Sequence, residues 1–130
     1  MKIRKGFVSN SSSSSFIIGL ANISKYEKKN KKENISYDFI LDPDRLLYDL
    51  KYNSENKKLQ LRGCNDYSVE IKAKPGDKIL WLNSYGPDPD DFDDDYEYVD
   101  LSDFDQNDID KYEKIKKLGG DAMWWVGFCG

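Results

Sequence analysis

Histidine is absent from the 130 residues, and with it go the commonest metal ligand, the usual acid–base group near neutral pH and every catalytic dyad or triad built on imidazole. Cysteine is scarce. Cys64 and Cys129 are the only two, with no CxxC and no spacing that suggests zinc, so reduced thiols in a cytosolic protein are expected. No GxxxxGK[ST] phosphate loop occurs, and Gly119-Gly120 follows a helical pattern where a phosphate loop would follow a strand. Long apolar runs are missing as well: Phe16-Ile17-Ile18-Gly19-Leu20-Ala21 is too short for a membrane span. Met1-Lys2-Ile3-Arg4-Lys5 looks like the charged start of a signal peptide, but the polar run from Ser9 to Ser15 cuts off any secretory apolar core. These absences point to a soluble, cytoplasmic protein with no cofactor and no membrane partner.

What the chain does have is segregated charge. Asp88 to Asp110 holds twelve of the 24 acidic residues and no Lys or Arg. The remainder carries 12 acids against 20 bases, so a formal net charge of −4 conceals about −12 in one segment and +8 elsewhere. Pro87 and Pro89 prevent a helix at the start of the segment, so residues 84–104 are expected to form an extended acidic loop. Phe92, Tyr96, Tyr98, Val99, Leu101 and Phe104 interleave with the acids and can pin it to the domain. A solubilising loop with helix-capping charges is the plainest reading.

Three sharper readings compete with it. In nucleic-acid mimicry, the seven acids from Asp88 to Glu97 would span roughly 33 Å if extended. That is sparser than the ~3.4 Å charge spacing of one DNA strand, so mimicry requires the aspartates of the following helix to add a second row. Calcium binding draws on Asp91, Asp93 and Asp95, which place oxygens at alternate positions, but the Gly and Glu of an EF-hand loop are missing from every register. A catalytic carboxylate pair needs a cleft and a fixed separation, and a dozen neighbouring acids single out no two.

The remaining chain reads as α+β, a mainly antiparallel sheet of four to six strands with two helices packed on one face, in a single domain. Residues 1–22 form a Ser-rich segment and a strand, and residues 23–34, with Lys25, Lys28, Lys29, Lys31 and Lys32, form a basic loop or short exposed helix. A nucleic-acid contact by these lysines is opposed by the overall acidity, so no direct nucleic-acid partner is expected. Residues 35–41 alternate as a strand. Asp42-Pro43 starts a helix over residues 43–52 with Leu46, Leu47 and Leu50 on one face. Residues 57–62, 67–73 and 78–83 read as a three-stranded meander. Asp105 caps a helix over 106–118 whose Ile109, Tyr112, Ile115 and Leu118 form an apolar stripe, ended by Gly119-Gly120. Residues 122–128 are a last strand inside the sheet. Its adjacent Trp124 and Trp125 must point to opposite faces, one into a second partial core under a loop or onto a ligand or partner.

Residues 4–18 run Arg-Lys-Gly-Phe-Val-Ser-Asn-Ser-Ser-Ser-Ser-Ser-Phe-Ile-Ile. This resembles an N-terminal signature, R-x-G-F-V-S-N-S-S-S-S-S-F, that heads small uncharacterised proteins of tailed phages and of bacteria carrying phage-like genes. The resemblance implies a phage-type origin and no activity, and it assigns no functional residue. From the residues themselves, the serines serve as a flexible linker, a structured turn or a recognition site. The expectation that follows is a non-enzymatic accessory protein binding a host protein with a basic surface, one that handles nucleic acid or serves in defence. Its contact residues would be Asp88, Asp90, Asp91, Asp93, Asp94, Asp95, Glu97 and Asp100. A small-molecule site or enzyme on the aromatic sheet face is one alternative, and a structural or virion role is the other.

Overall fold

The computed structural model describes residues 2–4, 13–30, 34–47, 49–63, 67–86, 96–98 and 101–128. At its centre Ser13–Asn22, a ten-residue strand (β2), is hydrogen-bonded on both sides, to Lys78–Tyr85 (β7) and to Asp121–Phe128 (β9), antiparallel in each case. Phe39–Ile40 (β3) pairs with the far side of β7, giving a four-stranded sheet in the order β3-β7-β2-β9. A second sheet is an antiparallel meander of Leu50–Asn53 (β4), Lys58–Arg62 (β5) and Ser68–Lys72 (β6). Lys2–Arg4 (β1) and Tyr96–Tyr98 (β8) form a two-stranded ladder of their own. Two helices, Ile23–Lys29 (α1) and Gln106–Lys117 (α2), complete the α+β fold.

Alternation along β2 explains the layering. Phe16, Ile18 and Leu20 point to one face and pack with Leu50, Leu59, Leu61 and Val69 of the smaller sheet. Ile17 and Ala21 point to the other and pack with Ile23 of α1 and Ile109, Tyr112 and Ile115 of α2. Both helices therefore cover one face of the larger sheet, and the smaller sheet covers the opposite face. A strand buried on both faces must read as a nearly continuous apolar run, which Phe16 to Ala21 does.

Five expectations are corrected. The helix over 43–52 does not form: Asp42 accepts the Asp44 N–H through its side chain and the Arg45 N–H through its backbone oxygen, closing a single turn at 3.0 Å each. A second turn, Leu50 N–H to Leu47 oxygen, then leads straight into β4. So short a helix is marginal by itself, whereas β4 buries Leu50 opposite Leu61 and leaves Leu47 half exposed. The meander also has different members. β6 does not pair with β7, because Ile79, Leu80, Trp81 and Leu82 are apolar on both faces and belong in the doubly covered sheet.

The last strand, β9, lies at an edge of that sheet and not inside it. Its apolar density reports two covered faces, which is a different thing from two hydrogen-bonded neighbours. Finally, Ser13–Ser15 is no linker: it pairs with residues 126–128 of β9, and Ser15 is buried. Ser11 and Ser12 lie outside the described residues. The strand expected over 35–41 contracts to β3, although Asp38 and Leu41 still donate to Ile79 and Asp77 on either side of it.

The helix over 106–118 forms as α2. Asp105 is its N-cap, accepting the Asn107 N–H at 2.8 Å, and Lys114, Lys116 and Lys117 occupy its last turn. Asp105→Ala is expected to cost about 1 kcal/mol of unfolding free energy, read as a lower urea midpoint at unchanged slope.

Candidate functional site

The fold brings Gly86, just before the acidic stretch, against Phe104 within it. Gly86, at the end of β7, donates its N–H to the Ser15 oxygen at 2.9 Å. Its α-carbon sits so close to the Phe104 ring that a β-carbon there would lie 2.6 Å from Cε1, and Phe104 is 5% exposed. Glycine is required here by proximity. Of the apolar side chains expected to pin the segment, Phe104 is buried and Leu101 packs against the same helix-side core. Tyr96 and Tyr98 belong to β8, while Phe92 and Val99 lie outside the described residues.

The described acids at this end have defined partners. Asp105 caps α2, Asp108 accepts the Ser84 hydroxyl at 2.7 Å, and Asp110 accepts the Gln106 side-chain amide at 2.8 Å. Asp105, Asp108 and Asp110 make no ion pair with a described base. The first base after the stretch, Lys111, is held by Asp38 at 2.7 Å. Asp105 and Asp110 stand about 140° apart around the helix at 3.6 residues per turn, and Asp108 is turned onto the sheet. The helix therefore supplies no second row at phosphate spacing, and what α2 presents is a negative sign and not a replica of a backbone. Asp88, Asp90, Asp91, Asp93, Asp94, Asp95 and Asp100 lie outside the described residues, and Glu97 is described through the backbone of β8 alone. The calcium reading of Asp91, Asp93 and Asp95 falls outside them too; among the described residues no group of three or more metal-ligating side chains occurs.

No protein-family model, curated protein or solved structure matches this chain. Its working surfaces are read from its own geometry.

The two tryptophans behave as their adjacency requires. Trp125 packs on Phe16 and Tyr67, at 5.6 and 5.0 Å between ring centres, towards the smaller sheet. Trp124 meets Phe104 edge-on at 6.3 Å on the helix side. Each ring is occupied by the chain's own aromatics where a ligand site would need space. The second core exists, and a sheet covers it where a loop was expected. No helix among the described residues is long and apolar enough to cross a membrane.

At the opposite end of β2, seven residues and about 23 Å from Ser15, lysines gather around Asn22. Sequence reading singled out Lys25, Lys28 and Lys29 there. It missed Lys57, Lys72, Lys74 and Lys117, which line the same surface. They are far apart in the chain and carry no local signature; the one linear clue was the +8 balance outside the acidic stretch.

Proposed function

We propose that this chain is a non-enzymatic accessory protein, of the phage type that its first residues resemble, which presents its acidic stretch to the basic surface of a host protein that handles nucleic acid or serves in defence. The observation that carries the reading is the contact of Gly86, just before the acidic stretch, with Phe104 within it, together with the engagement by Asp38 of the first base after the stretch. A segment with twelve acids and no base of its own sets up a field that accelerates docking on a basic surface and rejects acidic ones, although β1 brings Lys2 and Arg4 beside it through its pairing with Tyr98 and Tyr96. The residues bet to make contact are Asp88, Asp90, Asp91, Asp93, Asp94, Asp95, Glu97 and Asp100.

Affinity capture from host lysate tests this, using the natural chain and a variant with Asp90, Asp91, Asp93, Asp94 and Asp95 changed to Asn. Capture of a basic protein is expected to fall by roughly tenfold or more between low and high salt, and by as much in the variant at low salt. A partner held equally well by the variant, or at any salt, removes the proposal.

A further inference from the structure

We infer that the lysine-lined groove at the Asn22 end of β2 binds the phosphate backbone of a nucleic acid. This goes beyond the acidic-end reading and does not rest on it.

Two depressions adjoin here, of about 460 and 540 Å³, sharing Asn22, Lys25 and Lys72 in their walls. Lys28, Lys57 and Lys74 line one, while Lys29 and Lys117 line the other. These seven ammonium groups come from α1, the β4–β5 turn, the end of β6 with the turn after it, and the end of α2. None is in an ion pair with a described carboxylate. The carboxylates in the walls are already engaged. Asp77, 9% exposed, accepts the Asn22 amide at 2.7 Å and the Lys74 N–H at 3.0 Å; Glu70 pairs with Lys58, and Asp121 accepts the Glu70 N–H.

The floor is rigid. Asn22 caps α1 by accepting the Lys25 N–H, and its amide also donates to the Lys72 oxygen, so one side chain ties helix, sheet and turn together. Lys57 holds a left-handed backbone, φ 56°, with its oxygen accepting the Ala73 N–H. Such a conformation in a residue other than glycine costs of order 1 kcal/mol or more and concentrates at working surfaces.

Chemistry selects the ligand. Seven lysines in adjoining depressions exceed what a lone phosphate can engage, so the ligand is an extended polyanion. Among the described residues no arginine lines the groove to fork onto base edges, and Tyr26 is the single aromatic in its walls. The site therefore reads phosphates and not sequence. The net acidity does not oppose this. Gly86 and Ser15, at the start of the acidic stretch, lie about 23 Å away along β2, nearly three Debye lengths at physiological salt, while its last acid, Asp110, is about 10 Å from Lys117 along α2.

The test uses the full chain and fluorescence anisotropy of a labelled single strand of about 20 nucleotides. Engagement of four or five phosphates of a single strand predicts a log–log salt slope of about −3, so affinity drops roughly 50- to 130-fold from about 50 to about 200 mM salt. Lys25→Glu/Lys72→Glu should weaken binding at least tenfold and flatten that slope. Lys51→Glu/Lys114→Glu, with the same change of net charge outside the groove, should leave the slope unaltered. Lys25→Gln/Lys72→Gln repeats the first comparison should the reversals perturb folding. Absence of binding at low salt, equal losses from both reversed pairs, or displacement by polyglutamate at equal charge would each overturn the assignment.

Discussion

Gly120→Ala is expected to destabilise the fold by about 3 kcal/mol or more, while Gly119→Ala, one residue earlier, costs about 1 kcal/mol. A β-carbon at Gly120 would lie 2.2 Å from the Leu20 carbonyl oxygen and 2.9 Å from both the Ala21 β-carbon and Ile115 Cγ2. Overpacking against a flexible side chain is absorbed cheaply, but Leu20 is paired on both sides, to Trp81 and Asp121, and has nowhere to move. Either β9 separates from β2 or the end of α2 lifts, breaking the 2.9 Å hydrogen bond from Gly120 to the Ile115 oxygen. Gly119 has φ 81° with open space around it, so alanine there meets only backbone strain. Urea unfolding of the two variants separates these cases. Equal costs would mean that the α2–β9 junction is looser than described.

Phe16→Ala is expected to cost about 3–5 kcal/mol, a large part of the stability of a domain this size. Phe16 is 1% exposed between the two sheets, stacks on Trp125, and fills the space left by the missing side chain of Gly63. Phe16→Leu should retain about half of the loss, since most of the transfer and cavity terms remain satisfied. Trp125 emission should shift to the red in the alanine variant as its cover is removed. A cost below about 1 kcal/mol would mean that Phe16 is not seated between the two sheets as described.

Much of this fold was legible where local chemistry and tertiary demand agree. α2 is readable because Asp105, the Ile109-Tyr112-Ile115 stripe, the terminal lysines and Gly119 all specify the same helix. β5 and β6 are readable because one apolar face alternates with a charged one. The misreadings arise where a pattern has two solutions. Leu46, Leu47 and Leu50 fit a helical face, yet a turn followed by β4 buries Leu50 just as well, and pairing with β5 decides between them. Apolar runs in β7 and β9 announce two covered faces, but they carry no information on which strand is the neighbour. Serines in β2 were legible only as polar, because their place beside β9 depends on residues more than a hundred positions away. The lysine groove was illegible for the same reason, being assembled from four separate stretches.

The central claim is a molecule polarised along β2, with its acidic end for a basic protein partner. Amide hydrogen exchange on the captured complex, against the chain alone, tests it most directly. Protection is predicted across residues 84–110, with residues 22–29 and 72–77 unchanged. Protection confined to those last two stretches, with residues 84–110 exchanging as in the free chain, would contradict it.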